Sequence, residues 1–171
     1  MRYLFPCRPA YAHTDDPDLR RMTRQYSVGM PEIGARLFVR SEFFTDGASV
    51  PRLGWTTFGH PFGEPQIYAG LLHDACYTGE LWVGTEARDW RVWFNLAQAN
   101  RMFYDMLCAK GGMCALRCWE YWQAVRLYGA TFGRRNYITQ DKFRAAYPGA
   151  VASLKELETL TGVRLPWIDV T

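Results

Sequence analysis

The order of apolar and polar residues predicts a short β portion followed by helices. Residues 35–44 are rich in β-branched and aromatic types, which is typical of a strand. From Pro65 to Gly79 apolar residues recur at helical spacing, and proline suits the first turn of a helix. Asn95 and Gln98 have the spacing of a capping box, which indicates that a second helix begins there. Further helical patterns cover residues 96–109, 113–128 and 150–161.

These elements predict an α+β fold, with a small N-terminal antiparallel β portion followed by a helical body of three to four helices. Residues 1–30 are polar and rich in turn formers, so we expect an N-terminal arm or irregular segment there. Residues 31–171 are expected to form a single domain. A short, loose C-terminal tail is expected from about residue 163.

Residues 81–94 are predicted to form a loop that is heavy in aromatic side chains. It contains Trp82, Trp90, Trp93 and Phe94. These rings suit contact with lipid or with a partner protein, but they suit a cap over the core equally well.

Composition and charge narrow the classes of function. The chain has 171 residues, of which 49% are hydrophobic and 22% are charged, so a folded protein is expected. The net charge of +3 is too small to indicate nucleic acid, and no nucleic-acid partner is expected. No apolar run approaches the ~18 residues of a spanning helix, and the N-terminus lacks the pattern of a secretory signal. We therefore expect synthesis in a cytoplasm, followed by retention there or assembly into a particle.

The strongest candidate for chemistry is residues 71–77, LLHDACY, on the helix that follows Pro65. His73 and Tyr77 are four residues apart and share a helix face. Asp74, with backbone carbonyls of the glycine-bearing loop 58–63, suits an oxygen cage for Ca²⁺. His73 beside it suits a general base that activates water for ester hydrolysis. The alternative interpretation is a partly buried polar pair with a structural role.

Three motifs in order carry a resemblance to a known family. They are residues 44–52, FTDGASVPR, residues 71–77, and residues 99–103, ANRMF. The chain resembles the domain of unknown function 1353 family of phages and prophages. The resemblance implies a virion or tail-associated component that works within the particle or at the host envelope. It also implies other virion proteins as partners, and a location in the virion, or in the host cytoplasm before assembly.

The helix with His73 also resembles the active-site helix of the phospholipases A2. That resemblance implies His73 as the base, Asp74 with Gly59 and Gly63 as Ca²⁺ ligands, and Tyr77 as a supporting hydroxyl. It implies an orienting group on a later helix at position 100, where this chain has Asn100 rather than Asp. We expect His73 Nδ1 to lie within hydrogen-bond reach of Asn100, with the loop carbonyls facing Asp74. The implied alternative function is a Ca²⁺-dependent lipid esterase, weakened by the missing carboxylate, with host membrane lipid as substrate.

Other residues have two interpretations each. Asp46 precedes a glycine, so it is either a second acidic group of the site or a turn former that binds its own backbone. Cys108, Cys114 and Cys118 lie near the corner between two predicted helices. With His73 or Cys76 they suit a zinc site, but no pair has CxxC spacing, and buried free thiols are the simpler interpretation.

Overall fold

Two antiparallel β-sheets and five α-helices make up the part of the chain that the structure describes. It is a computed structural model describing residues 1–5, 8–16, 19–46, 63–131 and 137–171, with the backbone alone at 128–131. The predicted α+β class is confirmed. The strands are β1 (Tyr11–His13), β2 (Arg20–Met22), β3 (Tyr26–Met30), β4 (Ala35–Val39), β5 (Phe44–Thr45), β6 (Trp82–Gly84) and β7 (Asp89–Arg91). The helices are α1 (Gln66–Thr78), α2 (Leu96–Lys110), α3 (Ala115–Thr131), α4 (Gln140–Ala146) and α5 (Leu154–Thr161), and a 3-10 turn covers Pro31–Ile33.

The two sheets have four and three strands. The larger sheet has the order β3-β4-β6-β7, and the smaller has β1-β2-β5; all neighbouring strands are antiparallel. The chain crosses from the larger sheet to the smaller between Val39 and Phe44, within the stretch predicted as one strand. Because of this crossing, Thr45, which lies near the beginning of the first sequence motif, is beside α1.

Helix α1 lies at the centre of the molecule. It packs against α2 and against β4, and every residue from Gln66 to Cys76 is buried. Alternate residues of β4, namely Ala35, Leu37 and Val39, contribute to the same core. A helix that is buried on all sides carries its polar side chains into the interior, so His73 and Asp74 are enclosed.

The predicted bounds of α1 and α2 are confirmed. Helix α1 ends at Gly79, whose φ is +75°, and α2 begins with both bonds of the capping box between Asn95 and Gln98. Helix α4 was not predicted; the Thr139 side chain accepts a hydrogen bond from the amide of Lys142 and begins it. Among the described residues five helices replace the predicted three to four.

The expected loop at 81–94 is a β-hairpin, so that prediction is wrong. Strands β6 and β7 have three residues each, and Trp82 pairs with Arg91 across them. Strands this short give too few alternating positions for a periodicity to be recognised. The aromatic residues divide between its two faces: Phe94 is buried in the core and Trp90 packs against it, whereas Trp82 lies on the outer face.

Both ends of the chain are more ordered than the sequence suggested. The described parts of residues 1–30, expected to be irregular, contribute three strands, and β3 pairs with β4 along its whole length. The C-terminal segment, expected to be loose, buries Trp167 completely, and its indole donates a hydrogen bond to Asp105 at 3.0 Å. The free energy gained by burying so large a side chain outweighs the local preference of this segment for turns. None of the described helices has the length and apolarity needed to cross a bilayer.

Candidate functional site

The three sequence motifs meet at one place in the fold. Thr45 comes from β5, His73 and Asp74 from the middle of α1, and Asn100 from the second turn of α2. Hydrogen bonds join them in two pairs, Thr45 with Asp74 and His73 with Asn100. Residues separated by 27 and 29 positions along the chain therefore form two buried polar pairs, which meet at adjacent residues of α1.

His73 is held by Asn100. The Nε2 atom of His73 lies 2.9 Å from Oδ1 of Asn100, and the two residues are only 1% and 5% exposed. A carbonyl oxygen can only accept, so Nε2 carries the proton and Nδ1 of the neutral ring has the lone pair. The expectation of a contact between these two residues is met, but the expected ring nitrogen, Nδ1, is wrong. The nitrogen is set by the rotamer of His73 in its packed surroundings, which helical spacing does not specify.

Asp74 is held by Thr45. The Thr45 hydroxyl donates to Oδ2 of Asp74, and both residues are buried. A buried carboxylate needs such donors, because its charge is otherwise costly to remove from water. Thr45 lies in the first motif but was not singled out from the sequence, since nothing in the sequence shows that β5 reaches α1.

Burial dominates the electrostatics of His73. Desolvation lowers its pKa from 6.5 to about 4, and the hydrogen bond to Asn100 and the negative charge of Asp46 oppose this only in part. The ring is therefore neutral at pH 7, as a general base must be. Asp46 is exposed, and its negative charge raises the pKa of His73.

The model of one protein family matches residues 21–125, which is more than half of the chain. That family is described as "Protein of unknown function (DUF1353)". The chain belongs to this family. The matched range contains all three motifs and the four side chains that they bring together. No curated protein and no solved structure matches the chain.

Two aromatic rings pack against the imidazole in this DUF1353 domain. The ring centroid of His73 lies 5.1 Å from that of Tyr77 and 5.3 Å from that of Phe103. Tyr137 packs against Tyr77 in an edge-to-face arrangement, with the ring centroids 4.8 Å apart. The hydroxyl of Tyr137 donates a hydrogen bond to the carbonyl of Phe94 at 2.6 Å. Phe103 was predictable, since it lies three residues after Asn100 on the same helix face. Tyr137 follows a different helix, and no local pattern connects it to His73.

The predicted calcium ligands are only partly within the described residues. Asp74 is buried beside Thr45, and the Gly63 carbonyl accepts from the amide of Ile67 at 3.0 Å where α1 begins. Gly59 and the rest of loop 58–62 lie outside the described residues. The described residues contain no group of three His, Cys, Asp or Glu side chains that could hold a metal ion. A hard cation at Asp74 would therefore depend on further oxygen ligands from that loop.

The four cysteines of the described chain are free thiols that differ in burial. Cys76 and Cys118 are buried, as core thiols are expected to be, whereas Cys108 and Cys114 are exposed. Burial raises the pKa of Cys76 well above its usual value, with a further contribution from the charge of Asp74, and its thiol donates to the carbonyl of Leu72. A protonated thiol is a poor nucleophile, so Cys76 contributes to packing rather than to chemistry.

Proposed function

We propose that the chain is a phospholipase A2-like lipid esterase in which His73 is the general base. One observation carries this proposal: Asn100 holds Nε2 of a buried, neutral His73 at 2.9 Å, which leaves Nδ1 as the basic nitrogen. The second and third motifs make this contact, and the first motif adds Asp46, whose charge acts on His73, and Thr45, which binds Asp74.

The reaction follows from these groups. A water molecule attacks the ester carbonyl, a new carbon–oxygen bond forms, and the proton of the water moves to Nδ1 of His73. The tetrahedral intermediate then breaks its bond to the alcohol oxygen, which takes the proton from Nδ1 and leaves. The products are a carboxylic acid and an alcohol. Bound Ca²⁺, with Asp74 as one ligand, would supply polarisation of the ester carbonyl.

The absence of a carboxylate at position 100 limits the rate of the proposed hydrolysis. The imidazolium that forms when Nδ1 takes a proton gains little from the neutral amide of Asn100. Asp46 is the negative charge that favours it. The proposed enzyme is therefore slower than one with a carboxylate at position 100.

A lipid-hydrolysis assay with four variants tests this. Fatty-acid release from phosphatidylglycerol vesicles would be measured with Ca²⁺ and with a chelator. We expect His73→Gln to lose at least about a hundredfold, Asp46→Asn to be slower than wild type, and Asn100→Asp to be faster. The matched control is His13→Gln, which removes an exposed histidine on β1 and leaves the rate unchanged. Equal release by wild type and His73→Gln, or no release above the blank, would sink the proposal.

We also propose a second function of a different class, a virion or tail-associated component that binds other phage proteins. The family resemblance supports a phage context, and the outer face of α3 supports association. Leu116, Trp119 and Leu127 are exposed there, at the three- and eight-residue intervals that keep side chains on one helix face.

Purified phage particles provide the test. If the proposal is right, the chain is found in particles, and Trp119→Glu reduces its incorporation, while Lys155→Glu on the exposed side of α5 does not. Absence of the wild-type chain from purified particles would reject it.

A further inference from the structure

The outer face of the larger sheet carries arginines layered on aromatic rings. Trp82 of β6 pairs with Phe38 of β4 and with Arg91 of β7, so all three side chains lie on the same side of the sheet. Arg40 follows Phe38 by two residues and shares that side. This is the face turned away from Leu37 and Val83 in the core, and from α1.

Two guanidinium groups converge on one indole. The guanidinium carbon of Arg40 lies 3.8 Å from the ring centroid of Trp82, and that of Arg91 lies 5.0 Å from the same centroid. Arg91 is also held against Tyr147, at 3.9 Å. An arginine stacked in this way keeps the edge with its N–H groups available for a second interaction.

The charges of these two arginines are not neutralised within the described chain. Neither Arg40 nor Arg91 has a carboxylate within ion-pair distance among the residues that the structure describes. Arg36, on the same face of β4, differs, since it donates to Oδ1 of Asp89 at 3.0 Å. Two positive charges therefore remain together at Trp82, with a neutralised pair beside them.

We propose that Arg40 and Arg91, supported by Trp82, bind a single phosphate group. Planar guanidinium groups match the oxygens of phosphate in bidentate hydrogen bonds, and both arginines are held against the same ring, one from each side of β6. The positive charge does not continue along the sheet, because Asp89 neutralises Arg36. A polynucleotide needs a line of cations, so the site fits one phosphate on a small molecule or on a lipid headgroup. This inference does not depend on His73 or on esterase activity.

Calorimetric titration of the intact chain tests the site with two kinds of probe. The first is inorganic phosphate and glycerol phosphate, and the second is phosphatidylcholine vesicles with and without phosphatidic acid. We expect saturable binding by wild type and at least a tenfold loss of affinity in Arg40→Gln and in Arg91→Gln. The matched control is Arg88→Gln, because Arg88 stacks alone on Trp90 at 3.7 Å without a second arginine on that ring. It should bind as wild type does.

The two probes distinguish the source of the phosphate. Binding of the soluble phosphates that needs Arg40 and Arg91 supports a small ligand. Binding only to vesicles with phosphatidic acid, again dependent on both arginines, supports a lipid headgroup. The proposal is overturned if no probe binds, or if Arg88→Gln weakens binding as much as Arg40→Gln. Thermal unfolding of each variant confirms that a loss of binding is not a loss of fold.

Discussion

Nε2 of His73 and Oδ1 of Asn100 form a 2.9 Å hydrogen bond inside the core, and the imidazole is kept neutral by burial. The pKa of His73 is about 4 in the folded chain, against 6.5 for an unburied histidine. As the pH falls below 6.5 the unfolded chain takes up a proton that the folded chain does not, so folding weakens. Below about pH 4 both states are protonated and this contribution stops changing.

The first prediction follows from that difference. As the pH falls from 6.5 to about 4, the free energy of unfolding should decrease by roughly 3 kcal/mol because of His73. Urea unfolding across this range, for wild type and for His73→Gln, measures it. The variant should lose less stability on acidification than wild type, since glutamine does not titrate. Identical pH profiles for the two proteins would show that His73 is not buried as a neutral ring.

Replacing Asn100 by Asp should reverse part of the effect of burial. A carboxylate next to Nε2 stabilises the imidazolium, so the pKa of His73 should rise by about 1 to 3 from its value of about 4. NMR titration of the His73 ring measures the change. Asn100→Ala serves as the control, because it removes the hydrogen bond without adding charge and should lower the pKa further. A pKa that is the same in both variants would mean that position 100 does not face His73.

The hydroxyl of Thr45 should be needed for stability. Thr45→Val keeps the shape and strand preference of the side chain but leaves the buried carboxylate of Asp74 without one donor. We expect a loss of roughly 1–3 kcal/mol in the free energy of unfolding. Thr45→Ser retains the donor and should lose clearly less. Urea denaturation at pH 7 compares the two, and equal stability of Val and Ser variants would contradict the assigned bond.

Local signals explain what could be predicted from the sequence. Helix α1 was bounded by Pro65 and Gly79, and α2 by a capping box whose two bonds, of 2.8 and 3.0 Å, both form. These signals act within four residues, so they remain visible without the fold. The contact between His73 and Asn100 was also predicted, although through the resemblance to the phospholipases A2 rather than through spacing.

Contacts between distant segments explain the failures. The hairpin of β6 and β7 depends on its pairing with β4, and the burial of Trp167 depends on its packing against Phe94 and the rest of the core. The ring nitrogen of His73 that faces Asn100 depends on how α1 and α2 pack. Each of these features is decided by tertiary structure, which outweighs weak local preferences.

The end of α1 provides the last prediction. Gly79 has a φ of +75°, and a Cβ atom built there would lie 2.7 Å from Cδ2 of Phe143 in α4. Gly79→Ala should therefore lose roughly 1–3 kcal/mol from its backbone conformation and more from the clash with the ring. Gly162→Ala is the matched control, because Gly162 ends α5 with a φ of +71° and nothing lies within 4 Å of its added Cβ. Thermal or urea unfolding of the two variants separates the backbone strain from the clash with the ring. The additional loss of stability in Gly79→Ala, compared with Gly162→Ala, measures the packing of α4 on the end of the helix that carries His73. Equal losses at both positions would show that α4 does not pack there.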